Sequence, residues 1–299
     1  MLDNSSTGCY CFFMNRLPFE KRRQILHAMV EGNSVRGIAR LVDVSPVTVL
    51  RYLALAGEAC AKWHDTAVRN LKIQRAEADE IWSFVFAKDK NASDEMRRSG
   101  AAGSVWTWTC LCADTRLLIS YYVGGRDAES ALAFIQDIGR RISGRFQLTT
   151  DSHTAYYNAV ANTFEEVDYA QLVKLYGESP ETGPERKYSP AECIGTRKKK
   201  ILGNPDMARV STSLVEKHNQ TMRQHMKRFA RLTAAHSKKL QNHAYMVALY
   251  TTWYNFARVN VAVRMSPAMA AGISDHLWDI GDIVNLIESL ESGDLGKLT

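Results

Sequence analysis

The chain has 299 residues, of which 45% are hydrophobic, and this length and composition predict two domains with a sizeable apolar core. No apolar run approaches the roughly 18 to 20 residues that span a bilayer. Residues 1–23 lack the segment order of a signal peptide, so we expect a cytoplasmic protein without membrane contact. The six cysteines form no ladder of pairs that would bind structural zinc, and we expect buried, reduced thiols.

The formal net charge of +6 is distributed unevenly along the chain. Residues 274–299 contain six acids and one lysine, a charge of −5, so residues 1–273 carry +11 once that −5 is subtracted from +6. Positive charge concentrated in particular segments predicts a nucleic acid as partner. A basic surface that is merely solvated is the alternative.

Residues 17–60 have the apolar spacing and the start and stop signals of three helices. Ser34 caps a short second helix, and Ser45 followed by proline begins the third after a tight turn. Two short helices joined by such a turn are typical of a helix-turn-helix, so residues 1–60 are predicted to be an all-α DNA-binding domain. A three-helix bundle that contacts only proteins is the alternative.

In a helix-turn-helix the start of the last helix enters the major groove, while the preceding helix meets the phosphate backbone. The side chains placed for the groove are Ser45, Thr48, Arg51 and Tyr52. The side chains placed for phosphates are Arg36 and Arg40.

After a charged connector over residues 61–78, the pattern changes from helical spacing to the alternation of strands. The predicted order is three strands, a helix, a strand, a helix and a strand. This order describes a mixed α/β sheet flanked by helices, with the first three strands paired as a meander.

Residues 177–211 are predicted to be a loop-rich insert, which contains the basic run Lys198, Lys199 and Lys200. We expect these three lysines to contact DNA. Helices are then predicted at about 212–230 and 237–258, followed by an acidic amphipathic helix at 275–290.

Three acids are candidates for one site. Asp79 begins the first predicted strand, Asp151 ends the fourth, and Glu216 lies on the helix after the insert. If the first and fourth strands are neighbours, the two aspartates come together. Carboxylates that meet at one point repel one another unless a cation neutralises them, and their hard oxygens suit Mg²⁺ or Mn²⁺. Two such ions about 4 Å apart support phosphodiester chemistry.

Glu216 heads a polar stripe on its predicted helix. At about 100° per residue, Arg223 and Lys227 lie within roughly 40° of its direction, where they can hold DNA phosphates. Each acid also has a structural explanation: Asp79 as a solvated strand end, Asp151 as a helix N-cap, and Glu216 as a partner of a neighbouring polar side chain.

Four segments of the sequence resemble one protein family. They are DEIWSFV at residues 79–85, TTDSHTAYYNAV at 149–160, the stretch from STSLVEKHNQ to TTWYNF at 211–256, and MSPAMAAGI at 265–273. The sequence is similar to transposases of the bacterial insertion-sequence-one type, in the DDE group whose catalytic domain resembles RNase H. The likeness covers most of residues 79–273, and the predicted helix-turn-helix precedes it in the family's order.

The resemblance implies an RNase H-like catalytic domain over residues 79–273 that acts as a Mg²⁺- or Mn²⁺-dependent nuclease and strand transferase. It implies Asp79, Asp151 and Glu216 as the catalytic, metal-binding triad, with Asn219 and Arg223 as DNA contacts. The implied partner is double-stranded DNA, both element ends and target. Synapsis of two ends implies a homodimer or a larger assembly, in the nucleoid-associated cytoplasm of a bacterium.

Some features depart from the family or stay open. Only Cys9 and Cys11 remain where some relatives carry a cysteine-ligated zinc module, which is too few ligands. The acidic residues 274–299 match no family motif and either lie against the basic body or contact a second protomer. His218 is expected to be structural or to face DNA, and His153 is a weak auxiliary candidate. A non-catalytic DNA-binding regulator and a stand-alone nuclease are the other functions considered.

Overall fold

The computed structural model describes residues 16–177, 192–230 and 232–292, which form a six-stranded mixed sheet flanked by helices. The strands are β1 (Arg75–Val85), β2 (Gly103–Cys112), β3 (Leu118–Gly124), β4 (Gln147–Asp151), β5 (Asp168–Tyr176) and β6 (Cys193–Leu202). The helices are α1 (Phe19–Val30), α2 (Val35–Val42), α3 (Pro46–Ala67), α4 (Asp94–Arg98), α5 (Ala128–Arg141), α6 (Ala155–Thr163), α7 (Ser213–His225), α8 (Leu240–Thr252), α9 (Pro267–Ala270) and α10 (Ile280–Ser292). The predicted mixed α/β class is confirmed.

The first three helices form where the sequence places them. The Ser34 hydroxyl accepts a hydrogen bond from Gly37 N at 3.1 Å and caps α2, and Ser45 does the same for α3 through Thr48 N at 3.0 Å. Between the two helices Asp43 has φ = 53°, the left-handed conformation that a tight turn requires. These local signals explain why this part of the chain is predictable from sequence.

The predicted connector over residues 61–78 is partly regular structure, because α3 continues to Ala67 and β1 begins at Arg75. Trp63 is buried and packs against the rings of Phe256 and Trp278, with centroid distances of 5.9 and 5.3 Å. Tertiary packing therefore extends this helix, although its last turns look like a polar connector in the sequence.

The strand order is β3-β2-β1-β4-β5-β6. The first three strands pair antiparallel as the predicted meander, β4 lies parallel to β1, and β5 lies parallel to β4. Asp79 is the fifth residue of β1 and does not begin it as predicted. The preceding Ala76 and Ala78 are buried strand residues, but alanine is neither β-branched nor aromatic and gives little strand signal.

The predicted loop-rich insert contains a strand, β6, which pairs antiparallel with β5 and forms one edge of the sheet. The basic run Lys198, Lys199 and Lys200 lies on this edge strand, where charged side chains discourage pairing with other chains. Residues 178–191 of the predicted insert lie outside the described residues.

The helices after the insert are shorter than predicted. α7 ends at His225, and a short 3-10 turn follows at Lys227–Phe229. The helix ends here because the chain turns back and buries Phe229. The turn is held by a guanidinium nitrogen of Arg223, which donates to the Phe229 carbonyl at 2.6 Å. α8 begins at Leu240 and continues as a π-helical turn to Ala257.

The acidic C-terminal helix lies against the first helix. α10 begins at Ile280, later than predicted, and the guanidinium of Arg22 on α1 donates to Glu288 at 2.7 Å. Arg16 forms a second ion pair with Glu291 at 2.8 Å. Of the two possibilities for the tail, its described residues therefore pack on the basic body. Residues 293–299 lie outside the described residues.

Three of the cysteines, Cys60, Cys110 and Cys112, are buried free thiols as predicted, whereas Cys193 is exposed on β6. Cys9 and Cys11 lie outside the described residues. Within the described ranges, no helix combines the length and the apolar character that crossing a bilayer requires. The division of the chain into domains stays a prediction.

Candidate functional site

An acidic cluster lies where β4 ends beside the middle of β1. The two strands pair in parallel as far as Ala78 and Thr150, so the next residues along, Asp79 and Asp151, stand side by side. Together with Glu80 they form a group whose carboxylate oxygens lie within 4.8 Å of one another. The structure thus brings the two predicted aspartates together and adds a third acid that sequence reasoning missed.

Asp79 is held on the sheet face that α7 covers. The Asn219 amide donates to one Asp79 carboxylate oxygen at 2.9 Å, and the Thr109 hydroxyl donates to the Asn219 side-chain oxygen at 3.0 Å. Burial, together with the negative charges of Glu80 and Asp151, raises the pKa of Asp79 from 3.8 to about 7. Asn219 orients this carboxylate, and its predicted contact with DNA stays a prediction.

Glu80 points to the opposite face of the sheet, since successive strand residues alternate. Its side chain is 1% exposed and accepts hydrogen bonds from the Arg126 guanidinium at 2.7 Å and from the Tyr156 hydroxyl at 3.1 Å. Burial and the charge of Asp151 raise the pKa of Glu80, and the bonds from Arg126 oppose this. Arg126 also lies 4.0 Å from a carboxylate oxygen of Asp151 and 4.7 Å from the Trp106 ring.

The only sequence signal for Glu80 is a second acid directly after Asp79, and for Arg126 a cation just before the Asp127 cap of α5. Neither signal shows that the two residues meet. Their ion pair depends on the distance in space between β1 and the loop that precedes α5, which no spacing along the chain provides.

Glu216 lies outside the acidic cluster. Its carboxylate accepts a hydrogen bond from the Thr212 hydroxyl and forms an ion pair with Lys174 of β5 at 2.6 Å. Burial lowers the pKa of Lys174, but the hydrogen bond and charge of Glu216 outweigh this and raise it, with a smaller contribution from Asp79. Lys174 is therefore within electrostatic range of both acids, and the role of Glu216 as a metal ligand stays a prediction.

The start of α7 is anchored to β1 by a third acid of that strand. Glu77 accepts hydrogen bonds from the backbone amides of Leu214 at 2.8 Å and Val215 at 3.1 Å, which satisfies two donors that the helix itself leaves free. Because Glu77 and Asp79 share one face of β1, this cap places Asn219 over Asp79. Burial raises the pKa of Glu77, and the two amide bonds oppose the rise.

The predicted DNA-binding side chains around the α2–α3 turn differ from one another in exposure and in hydrogen bonding. Arg36, Arg40 and Arg51 are exposed. Ser45 and Thr48 are bonded to each other at 2.9 Å at the start of α3. The prediction that Tyr52 enters the groove of DNA differs from the structure, where Tyr52 is 7% exposed. Its hydroxyl accepts a hydrogen bond from Leu17 N at 3.3 Å, so the ring belongs to the core and not to the helix surface.

The predicted DNA-binding cations of β6 and α7 also differ from one another in whether their side chains are bonded to the protein. The Lys198 ammonium donates to the carbonyls of Met207 and Ala208, and Lys200 donates to the Asn204 side chain at 3.1 Å. Lys199 and Lys227 are exposed, whereas Arg223 is half-buried beside the turn at the end of α7.

The two histidines have structural surroundings. His218 is buried with its ring 4.4 Å from that of Tyr254, and burial lowers its pKa to about 3, so it is neutral and belongs to the core. The backbone amide of His153 donates to Asp151 at 3.0 Å, and burial together with the charge of Arg126 lowers the pKa of the His153 ring.

Comparison with known proteins finds similarity among solved structures only. No family model and no curated protein matches the sequence. Among solved structures, the chain is similar to a Mos1 transposase paired-end complex with left transposon end, at 12% identity over 85% of this chain and 80% of the other, with a TM-score of 0.21. A pre-cleavage Mos1 transpososome gives 12% identity over 83% and 80%, and the same TM-score of 0.21. Similarity at this level carries no argument about fold or function.

Proposed function

We propose that this chain is a DNA transposase of the insertion-sequence-one type, which cuts DNA and joins the freed 3′-hydroxyl to a target with the help of Mg²⁺ or Mn²⁺. The observation that carries the proposal is the meeting of Asp79 and Asp151 on adjacent parallel strands, with Asn219 of α7 bonded to Asp79. This meeting of Asp79 and Asp151 supports the sequence resemblance, which implies that both acids are metal ligands.

The chemistry of the donor set fits a divalent cation. Asp79 and Asp151 offer hard carboxylate oxygens, and the pKa of Asp79 is raised first by burial and then by the negative charges of Glu80 and Asp151, both of which a bound cation would offset. Glu80 has its charge compensated by Arg126 and its second oxygen bonded to Tyr156. We therefore assign Asp79 and Asp151 as the ligands and Glu80 as a residue that fixes Arg126 beside them.

When bound, the metal would polarise a phosphodiester and lower the pKa of an attacking hydroxyl or water. The protein's own residues prepare the site for it. Thr109 and Asn219 fix the orientation of Asp79, and Arg126 holds a positive charge near Asp151. Lys174 compensates Glu216, the proposed third acid of the triad, at 2.6 Å.

The proposal also includes how the protein holds DNA. The exposed Arg36 and Arg40 lie on α2 and Arg51 lies on α3, two helices joined by a tight turn, and in a helix-turn-helix such helices meet the DNA duplex. Joining two element ends requires two active sites in one complex, so we propose a homodimer or larger assembly on DNA. The proposed location is the nucleoid-associated bacterial cytoplasm.

Cleavage of a plasmid that carries the DNA flanking this gene tests the proposal. With Mg²⁺, Asp151→Asn is expected to cleave more than about 100-fold more slowly than the unchanged protein, because even residues that only orient metal ligands alter activity 10- to 100-fold. Asp94→Asn, at an exposed aspartate of α4, is the matched control and should cleave normally. Full cleavage by Asp151→Asn would refute the assignment.

Two further measurements separate the alternatives. Glu216→Gln should be as defective as Asp151→Asn if Glu216 completes the triad, and normal cleavage would remove Glu216 from it. An assay that joins a precut 3′ end to a target plasmid distinguishes a transposase from a stand-alone nuclease, which would cut without joining. Specific DNA binding without any cleavage would identify a regulator.

A further inference from the structure

A cavity of about 500 Å³ lies on the face of the β5–β6 edge beside the start of α6. Its floor includes Gln171, Arg197 and Lys199, which face the same side because Gln171 pairs with Lys199 across the two strands. Its wall includes Ser152, Thr154 and Tyr157. Cavities of this size hold a small molecule or a nucleotide rather than a double helix.

The cavity is positively charged. Arg197 and Lys199 are exposed, and neither side chain has a hydrogen bond or ion pair with any residue of the described ranges. No carboxylate stands among the described residues that line the cavity. The first turn of α6 forms part of the wall, and the positive end of a helix adds to the attraction for an anion.

The alternation of side chains along β6 places its neighbouring cations on opposite faces of the sheet. Lys198 stands between Arg197 and Lys199 and points to the opposite face, where its ammonium donates to two backbone carbonyls at 2.7 and 3.1 Å. Lys200 also lines the cavity, and its ammonium donates to the Asn204 side chain. Among the cations that line the cavity, Arg197 and Lys199 are therefore the two whose side chains are not bonded to another described residue.

The cavity is linked to the acidic cluster by the chain itself and by two hydrogen bonds. Ser152 of its wall directly follows Asp151 in the chain. From its floor, the Gln171 amide donates to the Tyr169 hydroxyl at 2.9 Å, and that hydroxyl bonds the Thr150 hydroxyl at 2.9 Å. Thr150 is the residue before Asp151. The cavity therefore adjoins the end of β4, where Asp151 lies.

We propose that the cavity binds one unpaired DNA strand next to the bond that is cut, with Arg197 and Lys199 on its phosphates and the Tyr157 ring stacked on a base. Tyr157 is 50% exposed, so its face is accessible to such a base. This inference rests on the proposed function for its location beside a cleavage site. The binding itself is independent of any cleavage.

The test measures the affinity of the full-length chain for a fluorescent single-stranded oligonucleotide by anisotropy, in EDTA and at several salt concentrations. Arg197→Ala and Lys199→Ala each remove one phosphate contact and are expected to weaken binding about 5-fold near 0.1 M salt, because each contact contributes roughly 0.7 to the salt slope for a single strand. The double variant should weaken binding about 25-fold.

Lys198→Ala is the matched control, since it removes the same charge from the same strand on the other face. It should leave single-strand affinity unchanged. Tyr157→Ala should weaken binding at least about 5-fold and Tyr157→Phe should restore it, because stacking needs the ring and not the hydroxyl. Equal losses for Lys198→Ala and Arg197→Ala, or no loss in either, would overturn the proposal.

The outcome also separates this inference from the proposed function. If Asp151→Asn still cleaves DNA while Arg197→Ala loses single-strand binding, the catalytic assignment fails and the cavity assignment stands. If Asp151→Asn abolishes cleavage while none of the cavity variants changes binding, the reverse holds.

Discussion

Replacing Asp79 by asparagine is expected to stabilise the folded chain at pH 8 in the absence of metal. Burial and the neighbouring acids raise the pKa of Asp79 from 3.8 to about 7, so above pH 7 the folded state holds an unfavourable negative charge. Well below pH 3.8 the aspartic acid is protonated in both the folded and the unfolded state and resembles asparagine. The stabilisation should therefore be small at pH 4 and grow as the pH rises to about 7.

The magnitude follows from the size of the pKa change. A rise from 3.8 to about 7 corresponds to about 4 kcal/mol, at 1.36 kcal/mol per unit. Asp79 keeps partial contact with water, and screening reduces this value. We expect Asp79→Asn to raise the free energy of unfolding by about 2 kcal/mol at pH 8, roughly half of that ceiling.

Urea denaturation of both proteins in EDTA, at several values between pH 4 and pH 8, measures this difference. Asp94→Asn, at an exposed position, is the control and should change the free energy of unfolding by less than about 0.5 kcal/mol. Adding Mg²⁺ at about 100 times its dissociation constant should stabilise the unchanged protein at pH 8 by about 2.7 kcal/mol and leave Asp79→Asn unaffected. Identical pH profiles for the two proteins would refute the reasoning.

Three further changes have defined outcomes. Gly57→Ala brings a Cβ within 2.5 Å of Tyr245 Cα where α3 crosses α8, and this overpacking should lower the free energy of unfolding by about 2 kcal/mol despite the better helix propensity of alanine. Glu77→Gln removes the charge that caps α7 and should lower it by about 1 kcal/mol in urea titrations. Arg126→Met leaves the buried Glu80 carboxylate without its cation and should cost about 2–3 kcal/mol at pH 8, and less at pH 5, where Glu80 is more readily protonated.

Each change has its own control. Gly195→Ala adds a Cβ that meets nothing nearer than 3.8 Å, and an equal loss of stability there would contradict the packing explanation for Gly57. Unchanged stability of Glu77→Gln would show that the α7 amides need no charge. Adding Glu80→Gln should restore most of the stability lost by Arg126→Met, since it removes the unpaired charge. A double variant as unstable as Arg126→Met alone would contradict this.

Several parts of the fold follow from local signals. Ser34 and Ser45 cap the helices that begin after them, and the alternating segments of β2 and β3 form the predicted meander. The sequence leaves open whether the first and fourth strands are neighbours, and their parallel pairing in the structure brings Asp79 and Asp151 together. For the caps and the meander a short segment carries enough information, because capping and alternation act over a few residues.

The predictions from sequence were wrong where contacts between residues distant in the chain outweigh the local sequence pattern. The strand β6 has no apolar alternation, and only its pairing with β5 makes it a strand. The core position of Tyr52 and the extension of α3 past residue 60 both depend on partners far along the chain. Local sequence does not encode such burial, since the same residues would be solvated without those partners.

The sequence by itself determined the classes of most elements, the candidate aspartates Asp79 and Asp151, and an excess of positive charge. Only the tertiary structure decided which side chains compensate the acids, namely Arg126 for Glu80 and Lys174 for Glu216. It also decided that Arg197 and Lys199 line a cavity while Lys198 does not. The physical reason is strand register: a shift of one residue sends every side chain to the other face, and pairing with a distant strand sets that register.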